Sequence, residues 1–302
     1  MDQHVHIIEE LKDRLRMSYH EDIVLKIIEG YQKKRVVSLR INTLKTTPDH
    51  VDQVLKEHNI RCENVSWYED ARIVHSHESE LMKLNLFLNG EIYLQSLSSM
   101  IPALILDPKP KTDILDMAAA PGGKTTQIAT ITHNMCHLTA CEAHPIRAEK
   151  LKFNLHRQGA KNVSVLIQDA RKLDPYFTFD QILLDAPCTG TGTFEFDHPQ
   201  TYQTFSMKLL EHVTLTQKEL LQAAVRMLKP GKTFVYSTCS ILPEENEKQI
   251  EHLLKTGKVE LVPIDDCWFH QLPTLSSRLK GTLLIPPTEY FEGFFVAKLK
   301  KK

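Results

Sequence analysis

Two cysteines stand in closely similar settings in this chain. One lies in Asp185-Ala186-Pro187-Cys188-Thr189-Gly190-Thr191-Gly192, the other in Tyr236-Ser237-Thr238-Cys239-Ser240. Each follows a short apolar run that reads as a β-strand, Gln181–Asp185 and Thr233–Ser237. A thiolate is a strong nucleophile, and two thiols at the ends of neighbouring strands would share one cleft, an arrangement suited to covalent chemistry. A third segment points to the same edge. Ile114-Leu115-Asp116-Met117 runs into Ala118-Ala119-Ala120-Pro121-Gly122-Gly123-Lys124-Thr125-Thr126. Small residues let a ligand approach the backbone, and the helix that follows would offer free amides to a carboxylate or phosphate. Glu142, Asp169 and Asp185 then end three successive strands. An acid about twenty residues past such a loop can take both hydroxyls of a ribose, and Glu142 stands there. Asp169 is placed to face an adenine amine. A lone carboxylate at a strand end is ordinarily solvated, but three in series describe a ligand-binding edge.

The loop admits two readings. Gly123-Lys124-Thr125 fits the end of a nucleotide phosphate loop, whose first glycine would stand at 118, where this chain has Ala118. The run ending at Asp185 would then be a metal-binding aspartate strand. The other reading is a pocket for S-adenosylmethionine, and it gives the two thiols a task. Carbon 5 of cytosine is a poor nucleophile until a thiolate adds to carbon 6 and makes the ring enamine-like. Carbon 5 can then take a methyl group, after which its proton and the thiolate must leave. Asp185 could hold the base at ring nitrogen 3 and the amine. A base inside a duplex is out of reach, so the target would be single-stranded or flipped. On residues alone the two cysteines are interchangeable in this scheme.

The elements that position these residues alternate from about residue 107 onward. Strands are expected at Ile114–Met117, His137–Cys141, Val163–Ile167, Gln181–Asp185, Thr233–Ser237 and Phe294–Leu299. Helices are expected from about Gly123, over Pro145–Gln158, over Lys208–Leu228 with a stop at Pro230-Gly231, and over Glu244–Leu254. This is the pattern of an α/β fold, a Rossmann-like mostly parallel sheet with helices on both faces, with ligands at the carboxyl ends of its strands. Asp107-Pro108-Lys109-Pro110-Lys111 breaks regular structure and marks the junction between residues 1–106 and 107–302. The first part reads as α+β. Helical spacing occurs at Ile7, Ile8, Leu11, Leu15 and at Ile23, Leu25, Ile27, Ile28, with a further helix after Pro48. Strands are expected at Val36–Asn42, Asn64–Trp67 and Arg72–His75.

Composition excludes some classes. Hydrophobic residues make up 42% and charged residues 25%, the balance of a globular protein. No apolar run approaches the roughly 20 residues of a membrane span, and the polar start Met1-Asp2-Gln3-His4 is no secretory signal, so a cytoplasmic monomer is expected. Without a CxxC pair no metal site is expected, and Cys62, Cys136, Cys141 and Cys267 read as small buried apolar side chains. The net charge of −1 lacks the basic excess common in nucleic-acid binders. Lys33-Lys34-Arg35 and Lys298 with Lys300-Lys301-Lys302 read as solvated clusters.

Taken together, Asp116–Thr125, Asp185-Ala186-Pro187-Cys188 and Ser237-Thr238-Cys239-Ser240 resemble the Sun-type (Nop/Sun) RNA cytosine-5 methyltransferases. Leu39-Arg40-Ile41-Asn42-Thr43 resembles the strand that opens that family's small RNA-recognition-like domain. Gln95–Met100 resembles its pre-catalytic helix start, and Glu292-Gly293-Phe294-Phe295 its closing strand. The likeness covers nearly the whole chain. It implies an S-adenosylmethionine cofactor, a tRNA or rRNA substrate, attack by Cys239 and product release assisted by Cys188. It also implies a cofactor site formed by Ala118, Ala119, Ala120, Pro121, Gly122, Gly123, Lys124, Glu142, Asp169 and Asp185, with Arg147 near the adenosine. Lys124 and Asp185 are implied to position the methionine end and the base. The chain departs from the family pattern at Phe194-Glu195-Phe196-Asp197, where basic residues are common, and at Ala118, often a cysteine. A catalytically silent RNA-binding factor with the same fold is the remaining alternative.

Overall fold

The computed structural model describes residues 3–302. Two sheets organise them. The larger is formed by β5 (Asp113–Asp116), β6 (His137–Cys141), β7 (Val163–Leu166), β8 (Phe179–Asp185), β9 (Leu228–Thr238), β10 (Val259–Val262), β11 (Leu283–Ile285) and β12 (Phe294–Lys301). Its order is β10-β12-β9-β8-β5-β6-β7, with β11 paired to β12. The stretch β9-β8-β5-β6-β7 is parallel, and β12 runs antiparallel to β9, β10 and β11. Chain direction across the sheet reverses between β5 and β8, so the crevice of this Rossmann-like sheet lies where the Ala118–Lys124 loop meets Asp185.

Alternation along β8 decides which helices cover which face. Ile182 and Leu184 pack into one core with helices Gln3–Arg16, Glu21–Tyr31, Met207–Met227 and Glu247–Leu254. Leu183, with Ile114 and Val235, packs into the other with helices Leu97–Leu106 and Gly123–Ile131. Helix Leu97–Leu106 is apolar on nearly all sides because it is sandwiched; its start is set by Ser96, whose hydroxyl accepts from Ser99 N, and it ends at Asp107 in a left-handed conformation (φ 53°).

The smaller sheet joins β1 (Val37–Ile41), β2 (Cys62–Asn64), β3 (Ala71–Val74) and β4 (Ile92–Leu94), all antiparallel, in the order β2-β3-β1-β4. Leu39, Ile41, Val74 and Ile92 pack against Val51 and Leu55 of helix Pro48–Glu57. The opposite face is not open. Arg40, opposite Ala71 and Tyr93 in register, is fully buried and reaches the larger domain. Its guanidinium donates to Gln95 Oε1 (3.1 Å), Thr126 Oγ1 (2.9 Å) and Thr130 Oγ1 (3.3 Å), and lies 3.4 Å from the Gly123 carbonyl. Burial holds its pKa below the ordinary arginine value.

Several boundaries differ from those expected. The second strand of the small sheet is Cys62–Asn64, and the expected Asn64–Trp67 segment runs mostly into a turn closed by Tyr68 N to Val65 O. β9 begins directly at Leu228 and carries Pro230-Gly231 within it. The β8–β9 register jumps between Phe179 and Gln181, so these residues form an irregularity in the ladder that the local pattern does not show. The helix expected from Glu244 starts at Glu247, because Glu245 and Asn246 are held in a turn by side-chain bonds described below. β4, β10 and β11 are short, and their residues pair only through distant partners.

Candidate active site

A cleft of about 820 Å³ opens at the carboxyl edge of β5, β8 and β9. Ala118, Ala119, Ala120, Pro121, Gly123 and Lys124 line its floor, with Asp116, Asp185 and Cys239; Tyr93, Gln95, Thr193, Glu195, Tyr290 and Glu292 line its walls. The loop needs its glycines. Gly122 has φ 109°, a conformation that disfavours side chains, and a Cβ at Gly123 would stand 3.3 Å from the Tyr93 ring. The helix that starts at Gly123 directs its N-terminal dipole at the cleft, favourable for a carboxylate.

Lys124 bridges the groups of this floor. Its Nζ lies 2.7 Å from Asp185 Oδ2 and donates to Ser99 Oγ at 2.7 Å. Burial alone would depress the ammonium pKa, but the charges of Asp185, Cys239 and Asp116 carry it above the ordinary lysine value. Asp185 is oriented from its other oxygen by Ser237 Oγ at 2.7 Å. Beneath them Asp116 is buried and bonded by Thr125 Oγ1 (2.7 Å); burial pushes its pKa up to about 6, against the pull of Thr125 and Lys124.

The two cysteines meet, because β8 and β9 are adjacent and parallel with Asp185 opposite Ser237. Their sulfurs are 3.1 Å apart. Cys239 lines the cleft and Cys188 lies behind it. The hydrogen bond to Cys239, burial and the charges of Cys239 and Glu245 hold the Cys188 thiol well above its ordinary pKa, so Cys188 is protonated.

Behind the cysteines lies a polar cluster absent from the sequence reading. Glu245 is fully buried and accepts from Thr189 N (2.8 Å), Thr189 Oγ1 (2.5 Å), Gln217 Nε2 (3.1 Å) and Ser240 Oγ. Asn246 accepts from Thr238 Oγ1 and donates to Ser240 O at 2.9 Å. Nothing local marks these two residues, which resemble any acidic helix start; only the fold carries them under the two thiols.

The expected adenosine-side residues are placed differently. Glu142 is buried at the end of β6, accepting from His144 N at 2.9 Å, and Arg147 lies 3.7 Å from it while donating to Ala120 O. Asp169 caps the turn at 170–172 and binds Arg171 through both oxygens; that contact holds its pKa below the usual carboxylate value. Glu142, Arg147, Asp169 and Gly122 are not among the residues that line the cleft.

Two surface expectations are corrected. Arg35 is not a solvated charge: it donates to the carbonyls of Gly192, Thr193 and Phe194 and to Glu195, clamping the loop after Cys188. Phe194 and Phe196 of that loop pack on Tyr31, so their bulk serves the core. Cys136 and Cys141 are buried as expected, Cys62 is half-buried, and Cys267 is exposed because its short helix lies at the surface.

The family model described as 16S rRNA methyltransferase RsmB/F matches residues 103–300. The chain belongs to this family. A Shewanella amazonensis protein named ribosomal RNA small subunit methyltransferase F is 36% identical over 274 residues, covering 88% of this chain and 58% of its own length. A Mus musculus protein named 28S rRNA (cytosine-C(5))-methyltransferase is 34% identical over 296 residues, covering 92% of this chain and 37% of its own. The chain thus spans about half the length, or less, of these curated relatives. Among solved structures, a methyltransferase homolog protein from Pyrococcus horikoshii superposes with TM-score 0.80 at 31% identity, over 97% of this chain and 99% of that one. Membership in the RsmB/F family agrees with the resemblance of the loop and cysteine motifs. Among the described residues no helix is long and apolar enough to cross a membrane.

Proposed function

We propose that this RsmB/F-family chain is an S-adenosylmethionine-dependent RNA (cytosine-5) methyltransferase in which Cys239 forms the covalent adduct and Cys188 assists its release. The observation that carries the reading is the meeting of Cys239, Asp185 and the Ala118–Lys124 loop in one cleft, with Cys188 in contact behind Cys239. The cleft fits the cofactor. Its floor is small-residue backbone at a helix N-terminus, and in this reading Glu142, buried just after β6, is the acceptor for the ribose. In that reading the Ala118–Lys124 loop would hold the methionine end, with Glu142, Asp169 and Arg147 toward the adenosine. When bound, the cofactor supplies a methyl group made electrophilic by its sulfonium.

The chain's own residues do the rest. Asp185, fixed by Ser237 and Lys124, orients the base edge. The Cys239 sulfur forms a bond to carbon 6. After carbon 5 is methylated, its proton passes to a base in the cleft, the carbon–sulfur bond breaks, and the electron pair returns to Cys239. The protonated Cys188, in hydrogen-bond contact, stabilises that departing thiolate. This supports the order of the two cysteines: the one that lines the cleft attacks, and the one behind it, its thiol pKa raised, helps release.

Residues 107–302 carry the reacting groups, and Tyr93, Gln95 and Ser96 of the preceding part contribute to the cleft wall. The names of the relatives favour rRNA over tRNA as the substrate of this chain, which we expect to act as a cytoplasmic monomer. The test is adduct trapping. Cys188→Ala should accumulate a protein–RNA adduct that survives denaturation, and Cys239→Ala should form none. An adduct on Cys239→Ala would overturn the order. Tight magnesium-ATP binding by calorimetry, without S-adenosylmethionine binding, would overturn the whole reading.

A further inference from the structure

The contact between the two sulfurs is not a property of either cysteine loop by itself. Each loop leaves its strand end and turns away, and backbone groups between Pro187 and Thr189 or Thr238 and Ser240 could settle in other ways. Three and four residues past Cys188 the loops are joined directly, by Thr191 Oγ1 to Ser240 Oγ (2.9 Å) and by Gly192 N to Cys239 O (2.9 Å); at Cys188 itself they share one buried side chain. Glu245 Oε1 accepts from Thr189 N and from Gln217 Nε2, and Oε2 meets the hydroxyls of Thr189 and Ser240. Gln217, from the long helix Met207–Met227, also donates to Pro187 O at 3.0 Å. Residues on both sides of Cys188, and the residue after Cys239, therefore converge on one carboxyl group that water does not reach. The Glu245 backbone is fixed in turn, since Tyr236 OH donates to its carbonyl at 2.6 Å.

We propose that Glu245 is a positioning residue of the methyl-transfer site, tying the Cys188 loop to the Cys239 loop so that the two sulfurs stay in contact through adduct formation and release. The proposal rests on the reading in which Cys239 carries the adduct and Cys188 assists its departure. Four donors saturate the carboxyl group, so an apolar replacement leaves buried amide and hydroxyl groups unpaired and loosens the Cys188 loop at Thr189, although the direct joins at Thr191 and Gly192 remain. Glutamine is a different case. Its oxygen can serve Thr189 N and Gln217, and its amide can donate to the two hydroxyls, which rotate to accept. Ser240 can then turn its proton to Thr191, 2.9 Å away. Glu245→Gln therefore keeps the tether, whereas Glu245→Leu cuts it.

The experiment reads sulfur proximity directly, on the full chain without RNA. The oxidant diamide takes up the two electrons and two protons released as Cys188 and Cys239 join in a disulfide, whose peptide is counted by mass spectrometry. The wild type and Glu245→Gln should couple at rates within about threefold of each other, and Glu245→Leu at least about tenfold more slowly, the scale of one or two lost buried hydrogen bonds. S-adenosylmethionine affinity, measured in parallel, reports that the loop at 118–124 is still folded. In turnover with RNA, Glu245→Leu should lower kcat about tenfold with KM for RNA unchanged and should accumulate adduct, as expected for a defect in release. Should Glu245→Leu fail to bind the cofactor, Thr189→Val, which removes one hydroxyl at nearly constant volume, must by itself slow coupling about threefold. Coupling at the wild-type rate in Glu245→Leu, or in Thr189→Val in that case, or no disulfide in the wild type, overturns the proposal. Loss of the methyltransferase reading shows separately, as a wild type that couples its cysteines as described but methylates no RNA.

Discussion

At the β8–β9 end of the carboxyl edge every reactive side chain is fixed by residues far away in sequence, and at the β6–β7 end every acid is fixed by its neighbours. Asp185 is held by Lys124 and Ser237, Cys188 by Cys239, and the Cys188 loop by Glu245. Glu142, in contrast, is met by His144 and Arg147, and Asp169 by Arg171. Contacts two to five residues apart form whenever the local chain folds and can be exchanged for a ligand's groups without moving the sheet. Contacts across fifty residues exist only in the assembled domain. The Asp185–Cys188 end of the edge therefore depends on the assembled domain, whereas the carboxylates of Glu142 and Asp169 meet partners supplied by their own segments.

The strongest way to sharpen the comparison is at Cys239. Cys239→Ala should lose methyl transfer by about 10⁴-fold or more, with cofactor affinity unchanged, since only the nucleophile is removed. Comparable loss of cofactor binding would mean that the two halves are not separable. Next in size is the ion pair of the floor. Asp185→Ala leaves the Lys124 ammonium buried without its partner, at a cost of about 3 kcal/mol in unfolding free energy. Asp185→Leu combined with Lys124→Met should recover most of that loss in denaturant melts; a strictly additive double variant would show that the pair is not coupled.

Asp116 gives a pH-dependent effect of slightly smaller size. Its carboxyl titrates near 6 in the folded chain, above the ordinary 3.8, so burial favours the protonated form. A raised carboxyl contributes stability in full below pH 3.8 and loses it as the pH rises through 6. Asp116→Asn, which does not ionise, should therefore gain on the wild type by about 2–3 kcal/mol between pH 4 and pH 7.5. A pH-independent difference in melting would contradict the burial argument. The smallest effect is expected at the locally held end. Glu142→Ala should weaken S-adenosylmethionine binding about tenfold, with kcat at saturating cofactor unchanged, as for the loss of one pair of charge-assisted hydrogen bonds. Unchanged affinity would remove Glu142 from the cofactor site.

Much of the large domain was legible from local pattern. β5, β6 and β8 and the helices Pro145–Gln158 and Met207–Met227 fall where short apolar runs and helical periodicity put them, because the central strands are buried on both faces and the helices on one. β10 and β11 were not legible. Each is three or four residues long and is a strand only by pairing with β12. Arg35 read as part of a basic cluster because nothing within its segment shows that Gly192–Glu195 will fold against it.

The sequence by itself determined the chemistry available to this protein: two thiols after two strand ends, a small-residue loop leading into a helix, and acids at successive strand ends. Those are local facts, set by residue type and by the register of apolar runs. Tertiary structure alone decided which thiol faces the cleft and which stays protonated behind it. It also decided that the small sheet's second face is closed by Arg40 rather than open, and that Glu245 joins the two cysteine loops. The physical reason is common to all three. Burial of a charge or a thiol, and the partners that make it tolerable, depend on segments fifty or more residues apart being packed against one another.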